Sequence, residues 1–479
     1  MAEAEKSSKG VFESLASEAM EYWYVVLAMI VIYVIATNEA VAFFAYKTFL
    51  NILPLVGVAV LGRLAWALWV HYIQQDFISG IDFVLLEIVP PREVLRSPKA
   101  MELFFTNALY HWSLKGGKEE FWQGAVWLWF SLEIVSIDGQ VHFYIRTPTR
   151  VRGLIETQMY AQYPQAQVKE VEDYTLAVDE ISEKSDWMGW GCEWALEKPE
   201  IYPIKTYVDF GLDKDPKEEF KVDPISPIIE LFGSIVKGEQ LWLQIVVTPS
   251  KKTYHTEGTW FGKHDWVAEA KVQMDKFLAP YSSYKDVKEI EEVGIGRSRI
   301  EIRVPPHLDE VFKKMRAKTN KLGFDTGIRL MYIAKKEIYN LNTRRNIRLI
   351  LRQYAAPDGN AFSRTNSTQA DYYATSSVSL GSIFMLSQKK VLRLTDRLLH
   401  EYRERAFFHP PLRHHLFSVH TLGWPISPGF FPAYKHSPIY VLNVEELATL
   451  WHFPGQILQV PTLERIESKE AAPPTNLPI

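Results

Sequence analysis

The sequence has a single cysteine, Cys192, among its 479 residues. One cysteine cannot form a disulfide within the chain, and it excludes a zinc site that is built from several thiolates. Neither sign of charge is in large excess, because 53 basic and 57 acidic residues leave a net charge of −4. This balance argues against a protein that coats nucleic acid nonspecifically, although it allows a local basic surface.

Signatures of catalysis are also missing. The closest approach to a phosphate-binding loop, GTWFGKH at 258–264, is one residue too short and has His264 in place of serine or threonine. Neither G-x-S-x-G nor H-E-x-x-H occurs. Cys192 has no adjacent cation to activate its thiol. We therefore predict a non-enzyme with no catalytic, cofactor-binding or metal-binding residues.

Histidines are frequent in one late stretch of the chain. His409, His414, His415 and His420 do not follow the spacing of a common zinc site, and no thiolate accompanies them. We predict that they are loop and interface residues.

Two long apolar runs stand near the N-terminus of a chain whose composition, 47% apolar, is otherwise that of a globular protein. Residues 22–36 carry no charge and, with their neighbours, approach the ~20 residues that cross a bilayer. Residues 49–73 are long enough to cross again, although inserting Arg63 costs roughly 2.5–3.5 kcal/mol. Trp23, Trp66 and Trp69 would lie at the membrane interfaces. A signal peptide and a buried helical hairpin are the alternatives.

Two crossings would place both ends of the chain on the same side of the membrane. The connecting loop, 38–48, has Lys47 as its only cation, whereas Arg92, Arg96 and Lys99 follow the second run. By the positive-inside rule the large domain then lies in the cytoplasm. We predict a multi-pass protein of the plasma membrane with a cytoplasmic tail at 1–19 and an anchor at 20–79.

The pattern that follows the anchor is that of a ferredoxin-like βαββαβ module. Asp138-Gly139, between two apolar runs, predicts a hairpin. The predicted elements are a strand at 83–88, a helix from Pro98 to Leu109, strands at 127–135 and 142–146, a helix at 150–163 and a strand at 167–174. Their order is that of the split βαβ fold.

A second copy of this pattern follows. Its predicted elements are a strand at 202–210, a helix at 223–236, strands at 240–247 and 327–334, and a helix at 342–354. An insertion at about 251–322, with a helix at 306–321, separates the two hairpin strands. The predicted fold is therefore α+β: an N-terminal transmembrane helical hairpin followed by two tandem ferredoxin-like modules, 80–198 and 199–365.

The C-terminal quarter is less regular. Residues 366–462 form a helical and irregular region with helices at 389–404 and within 441–455, the latter capped by Asn443. Residues 463–479 have the composition of a linker.

A cluster of basic residues is the candidate binding surface. It comprises Lys313, Lys314, Arg344, Arg345, Arg348 and Arg352. On a helix, Arg345, Arg348 and Arg352 share one face, while Ile347, Leu349, Ile350 and Leu351 supply an apolar side. Without acidic residues to mix with them, these arginines predict a polyanionic partner: DNA, an acidic subunit surface or anionic lipid. A merely solvated helix face is the alternative.

Aromatic residues alternate along the central strands of the first module. Trp127, Trp129, Tyr144 and Arg146 would lie on one side of the sheet. RNA-recognition modules stack bases on such residues, but HFYIR at 142–146 lacks their signature. Packing between the modules is the preferred interpretation.

Several segments carry a resemblance to a known family. They are LLEIVPPREVLRSPKAMELFF, SLEIVSIDGQVHFYIRTP, QMYAQYPQAQVKEVEDY, YPIKTYVDF, GEQLWLQIVVTP, VLNVEELATLWHFPG and SKEAAPPTNLP. Together they resemble the uncharacterised membrane-anchored N-terminal region of bacterial type IV secretion coupling-protein-like ATPases, relatives of HerA and FtsK.

In fused members of that family an ATPase core with a Walker A motif follows the Pro-Pro-x-Asn-Leu-Pro linker, whereas this sequence ends at Ile479. The resemblance implies a non-enzymatic membrane-anchored subunit or adaptor of a separately encoded ATPase, in a type IV secretion-like or DNA-translocation system. A homo-oligomer is compatible with it. The alternatives are an independent cell-envelope scaffold or a nucleic-acid-binding membrane protein.

Overall fold

The computed structural model describes residues 37–91, 94, 96–110, 116–213, 223–250, 265–279, 282–285, 299–302, 305–368, 388–409 and 437–455. The chain divides into two compact units, Met1–Trp69 and Val70–Ile479.

One long helix, α1 (Glu39–Ser79), begins in the first unit and ends in the second. Its segment Glu39–Ala59 is, among the described residues, the one helical stretch long and apolar enough to cross a membrane. None of that stretch is buried within the protein. By length and composition it is a candidate membrane span.

The predicted loop at 38–48 is wrong, because residues 39–48 belong to α1. No glycine or proline occurs in that interval to end a helix. Asn38 precedes the helix instead, and its Oδ1 accepts a hydrogen bond from the Ala40 N–H at 3.1 Å. The candidate span therefore begins ten residues before the predicted second run. The predicted first run, 22–36, lies outside the described residues.

The second unit is a mixed α+β domain. Its strands are β1 (Phe83–Val89), β2 (Phe130–Ile137), β3 (Gln140–Pro148), β4 (Gln167–Val171), β5 (Trp187–Leu196), β6 (Glu239–Pro249), β7 (Ser282–Lys285), β8 (Arg299–Ile302), β9 (Gly323–Lys335), β10 (Phe362–Thr365) and β11 (Tyr440–Asn443). Its helices are α2 (Lys99–Phe104), α3 (Gly117–Trp122), α4 (Arg152–Gln162), α5 (Ser226–Gly233), α6 (Trp266–Leu278), α7 (Pro306–Thr319), α8 (Leu341–Ile347), α9 (Gln388–Glu404) and α10 (Val444–Leu450).

Nine of these strands form one antiparallel sheet. Its order is β10-β5-β9-β6-β2-β3-β1-β4, with β11 paired to the start of β9 beyond the end of β5. The two halves, β4-β1-β3-β2 and β10-β5-β9-β6, repeat the same relative order and meet where β2 pairs with β6. A separate pair, β7 and β8, lies in the insertion between β6 and β9.

The tight turn between β2 and β3 confirms the predicted hairpin. Asp138 and Gly139 both have positive φ, 56° and 84°. This is the backbone of a turn that matches the twist of antiparallel strands, and Asp-Gly adopts it readily.

The first strand of the second half is β5, so the predicted strand at 202–210 is wrong. Those residues form turns. Two of their N–H groups donate to side chains of the C-terminal helix instead: that of Ile204 to Glu446 Oε1 and that of Tyr207 to Thr449 Oγ1, each at 2.9 Å. The strand β5 escaped prediction because glycines interrupt its apolar pattern. Each makes room for a neighbour: a Cβ on Gly191 would lie 2.5 Å from Leu398 Cδ2.

The sheet is covered on both faces. On the front face, α2, α4, α5 and α10 bury residues such as Phe104, Met159 and Phe232 in the largest core cluster. On the back face, α9 and the segment 174–181 cover a second cluster that includes Trp242 and Tyr402. A sheet that is covered twice presents few of its own side chains to solvent.

Most of the later helices agree with prediction. The helices α7 and α9 coincide with the predicted 306–321 and 389–404 to within two residues. Asn443 caps α10, since its side chain accepts a hydrogen bond from the Glu446 N–H. The helix predicted at 342–354 is shorter: α8 ends at Ile347, and turns lead to a 3₁₀ turn at Arg352–Tyr354.

Candidate functional site

Polar residues form a continuous row across the back face of the sheet. The strand register places side by side Lys169, Glu87, Tyr144, Glu133, Gln244, Arg329, Glu193 and Thr365. Directly opposed residues in antiparallel strands point to the same face. The row therefore brings charged side chains from both halves of the sheet beneath α9.

The first charged centre of this row is built on Glu133, which is fully buried. Arg405, just beyond α9, binds it with two nitrogens: Nε donates to Oε1 at 3.0 Å and Nη2 to Oε2 at 3.2 Å. The same guanidinium donates to Asp173 Oδ2 at 2.5 Å. Burial opposes the charge on Arg405, but the carboxylates more than offset it and hold its pKa well above the usual value.

Two tyrosines complete this centre. The Tyr174 hydroxyl donates to Glu133 Oε2 at 2.8 Å and lies 2.9 Å from the Tyr402 hydroxyl. Burial, followed by the charge of Glu133, raises the pKa of both tyrosines well above the ordinary value. Both hydroxyls therefore stay protonated at neutral pH.

The second charged centre is built on Arg329 of β9, which is fully buried. Its Nε donates to Glu193 Oε1 at 2.8 Å, and its Nη2 donates to Glu401 Oε2 at 3.2 Å. It also donates to the backbone oxygens of Glu401 and Ala406. Arg397, one turn before Glu401 on α9, shares that carboxylate at 3.0 Å.

Arg146 lies beside the first centre, and none of the described carboxylates is hydrogen-bonded to it. Its guanidinium carbon is 4.0 Å from the centre of the Phe83 ring. Burial and the neighbouring Arg405 lower its pKa to about 10, against the opposing pull of Glu133 and Asp173. At neutral pH it stays charged, so two arginines and two carboxylates balance one another.

The role of these two charged centres is structural: they hold α9 on the sheet. The pairs are buried, hydrogen-bonded and balanced in charge, which is the condition under which a folded protein tolerates internal charge. Residues 401–407 contribute to both centres, so α9 is fixed to each half of the sheet. The arrangement explains why this helix lies across the join between the halves.

A third buried ion pair fixes the C-terminal helix on the front face. Lys318 of α7 lies 3.0 Å from Glu446, and each side chain is almost wholly buried. Burial raises the pKa of Glu446, and Lys318 works in the opposite direction. The same glutamate caps the start of α10.

The predicted basic cluster is divided by the structure. Lys313 and Lys314 lie on α7 and are paired with Asp309 at 2.7 Å and Asp209 at 3.4 Å. Lys321, two residues after the end of α7, is paired with Glu102 and Glu445. The lysines of this segment are therefore neutralised locally.

The four arginines of the cluster do not share one exposed face. Arg344 and Arg348 are half-buried. Arg344 is hydrogen-bonded to Tyr339, and Arg348 lies 5.6 Å from the centre of the Trp190 ring. Arg345 and Arg352 are exposed. The early end of α8 accounts for the change, because it breaks the helical spacing before Arg352.

The apolar side of this segment also differs from prediction. Ile347, Ile350 and Leu351 are buried in the front-face cluster. Leu349 points outward and is 57% exposed. The exposed surface thus combines arginine with leucine.

The predicted membrane-anchor residues are only partly described. Trp66 and Trp69 lie in α1, and so does the backbone of Arg63. Trp23 lies outside the described residues, as do His414, His415 and His420.

The aromatic row of the first half is covered. Trp129 and Tyr144 are each only 6% exposed. Tyr144 stacks on Tyr174 at 5.1 Å, and Trp129 packs against Phe83 at 5.2 Å. Tyr144 and Tyr174 belong to the back-face core, and Trp129 belongs to a separate buried cluster against which Phe83 packs, so these rings are not open to a stacked base.

Cys192, which has no adjacent cation in the sequence, is buried in the front-face core. Within the described part of the chain, no group of three or more histidine, cysteine, aspartate or glutamate side chains is arranged to hold a metal ion.

Glu133, Arg329 and Arg405 were not among the residues predicted from the sequence. The first two were visible as single charges inside apolar strands, in SLEIV and GIRLMYIA. A charge at such a position is rarely buried without a partner. Arg405 had no comparable signal, because its partners lie more than two hundred residues away.

Part of the chain matches a known domain family. Residues 128–354 match a domain of unknown function (DUF8128). The matched region runs from the start of β2 to the 3₁₀ turn after α8 and covers just under half of the chain. No curated protein matches the sequence.

Proposed function

We propose that this protein is a membrane-anchored, non-enzymatic subunit or adaptor of a separately encoded ATPase in a type IV secretion-like or DNA-translocation system. The observation that carries the anchor is α1, whose apolar segment Glu39–Ala59 is not buried within the protein. The link to an ATPase rests on the resemblance of the sequence segments.

The fold in this proposal consists of two ferredoxin-like modules joined edge to edge. The strand order supports it, since β4-β1-β3-β2 and β10-β5-β9-β6 each follow the 4-1-3-2 order that a βαββαβ chain produces when all its strands are antiparallel. A helix between the first two strands and another between the last two, α2 and α4, support the same fold for the first half.

The proposal retains a multi-pass topology, with residues 22–36 as a second crossing. The uncharged sequence of that run supports it. Arg92, Arg96 and Lys99 follow α1 and favour a cytoplasmic location for the sheet domain.

The buried ion pairs support a non-enzymatic role. Four buried carboxylates are each paired with an arginine or a lysine. They belong to Glu133, Glu193, Glu401 and Glu446. Carboxylates held in this way are poor general bases, because removing them from their partners costs several kcal/mol. The charges are used to assemble the domain.

Isolation of the full-length chain in mild detergent from its own cells tests the proposal. We expect a protein with a Walker A motif to be enriched at least tenfold over a control that carries residues 1–79 alone. The purified chain should show no ATP hydrolysis above background.

Two results would contradict the proposal. The first is ATP hydrolysis by the purified chain, if a point substitution in the chain abolishes that hydrolysis, because the protein would then be an enzyme. Failure to enrich any nucleotide-binding protein would favour an independent envelope scaffold. The neighbouring reading frame offers a simpler check, since a Walker A ATPase directly downstream supports the adaptor role.

A further inference from the structure

An acidic strip crosses the back face from the outer edge of the sheet. Residues 169–180 contain five acidic residues and one basic residue. Leu176, at the centre of the strip, is 71% exposed. Such exposure is high for a large apolar side chain beside a packed core.

The outward position of Leu176 is fixed by its neighbours. Tyr174 and Val178 point inward and belong to the back-face core. Thr175 is fully buried, and both its N–H and its hydroxyl are bonded to Asp173. Since the inward positions are filled, Leu176 is presented to the outside together with the charges around it.

A basic ridge lies on the other face of the sheet. Residues 341–352 contain four arginines and no acidic residue. Leu341 and Leu349 are 51% and 57% exposed, and Arg345 lies between them in sequence. Ile347, Ile350 and Leu351 fix the ridge to the front-face core.

Charges on both surfaces are available for a partner. Arg345 and Arg352 on the ridge are exposed and form no ion pair with a described residue, and the same holds for Glu172 and Glu180 on the strip. The other acids of the strip have basic neighbours: Glu170 is paired with Arg152, Asp173 is paired with Arg405, and Arg403 donates to the Asp179 backbone oxygen. The two surfaces therefore match in composition, each with exposed leucine among free charges, and are opposite in sign.

We propose that the basic ridge of one copy of this chain binds the acidic strip of a second copy. The two surfaces lie on opposite faces of one sheet, so they cannot meet within a single chain. A contact between unlike surfaces is heterologous, and it builds a ring or an open filament according to whether the rotation between copies closes. Leucine on both sides supplies apolar burial, and the charges fix the register.

The contact is independent of the ATPase partnership, since it involves this chain alone. It is tested on the full-length chain in detergent, with no other protein and no nucleotide, by sedimentation velocity across a range of protein concentration and salt. We expect assemblies larger than the monomer at low salt, which dissociate as salt rises.

Charge reversal identifies the surfaces. A chain with Arg345→Glu and Arg352→Glu, and separately a chain with Glu172→Arg and Glu180→Arg, should each associate at least tenfold more weakly. A chain that carries all four substitutions should recover association, because the charges are exchanged rather than lost. Lys118→Glu with Lys271→Glu, two exposed lysines elsewhere, makes the same change in net charge as the ridge variant and should leave association unchanged.

The leucines separate this contact from binding to a simple polyanion. Leu176→Ser and Leu349→Ser should each weaken association as well. A single-stranded oligonucleotide and vesicles of phosphatidylglycerol serve as competitors. The proposal is overturned if the parent chain is monomeric under all conditions, if the four-fold variant fails to recover, or if either competitor binds the ridge while the leucine variants associate as the parent does.

Discussion

At the scale of single residues, Arg329 and Arg405 stabilise the back face because each satisfies several buried acceptors at once. Arg405 binds two carboxylates, and Arg329 binds two carboxylates and two backbone oxygens. A buried pair of this kind adds little stability over a well-packed apolar pair, but removal of one partner leaves the other as an unpaired buried charge. The cost of substitution should therefore depend on whether one partner or both are changed.

Replacement of Arg405 alone tests this asymmetry. Arg405→Met leaves Glu133 buried without its counter-charge, and we expect the free energy of unfolding to fall by about 3–5 kcal/mol. Adding Glu133→Leu should recover part of that loss. Urea denaturation in detergent measures both, with Arg393→Met, an exposed arginine of α9, as a control that changes stability by less than ~0.5 kcal/mol. Equal stability of the Arg405 variant and the parent would refute the role given to this pair.

The pair between Asp223 and His452 should make the free energy of unfolding depend on pH in the acidic range. His452 Nε2 lies 2.9 Å from Asp223 Oδ1, and its Nδ1 lies 2.9 Å from the Ala448 oxygen. Burial alone would raise the pKa of Asp223, but its interactions with His452 and with the N–H groups of Ile225 and Gly455 outweigh burial, and the pKa is lowered from 3.8. The native state thus binds this proton less readily than the unfolded state, and its contribution is present above pH ~4.

Comparison of the parent with Asp223→Asn over a range of pH measures this contribution. The difference in free energy of unfolding should be larger at pH ~5 than at pH ~3, because it shrinks as the pH falls below the ordinary value of 3.8. A difference that grows toward low pH would reverse the sign and exclude this explanation.

At the scale of elements, sequence patterns predicted those strands and helices whose surroundings are local. Asp138-Gly139 predicted its hairpin, and Asn443 predicted the start of α10, because turn and cap geometry depend on a few adjacent residues. β5 was missed, since its glycines are explained only by side chains that arrive from distant parts of the chain. α8 was predicted too long, because tertiary packing of Ile350 and Leu351 replaced helical hydrogen bonds.

One glycine of β9 determines how closely the chain after α9 approaches the sheet. A Cβ on Gly327 would lie 2.1 Å from Phe407 Cε1, a contact that the ring cannot accept without moving. Phe407 also stacks on the Arg329 guanidinium, 4.3 Å from the ring centre. We expect Gly327→Ala to cost about 1–3 kcal/mol of stability.

A matched glycine provides the control for that substitution. Gly153, in α4, has nothing within 4 Å of its Cβ position, so Gly153→Ala should be neutral or stabilising by up to ~1 kcal/mol. Thermal unfolding compares the two variants. Phe407→Leu in the Gly327→Ala background should restore part of the loss. If both alanines had the same effect, the close approach of Phe407 would not be the cause.

At the scale of the whole molecule, the sequence predicted a membrane segment followed by a mixed α+β domain. The length of an apolar run and the periodicity of a strand can be recognised without knowledge of the tertiary structure. The sequence did not predict that the two halves join into one sheet. That join depends on the β2–β6 pairing and on the charges beneath α9, all of which lie far apart in sequence. The sequence also did not predict which residues of the basic ridge are exposed, because their exposure depends on the position of α8.

The end of α1 belongs to the folded domain, which determines where the chain can be shortened. Ile73 is only 8% exposed. The backbone of Gly124 lies so close to it that a Cβ there would meet the Ile73 oxygen at 2.0 Å. Phe77 and Ile78 pack against the cluster that contains Trp129, and Gln75 donates to the His409 oxygen. A cut after residue 79 would therefore remove part of the core.

We accordingly expect a chain that begins at Val70, the start of the second compact unit, to be more stable than one that begins at Gly80. Loss of buried Ile73 alone should cost about 1.5–3 kcal/mol, and Trp129 would gain exposure. Thermal unfolding and binding of a dye specific for apolar surface measure the difference between the two chains. Equal stability and equal dye binding would mean that residues 70–79 only lead into the domain and contribute nothing to its core.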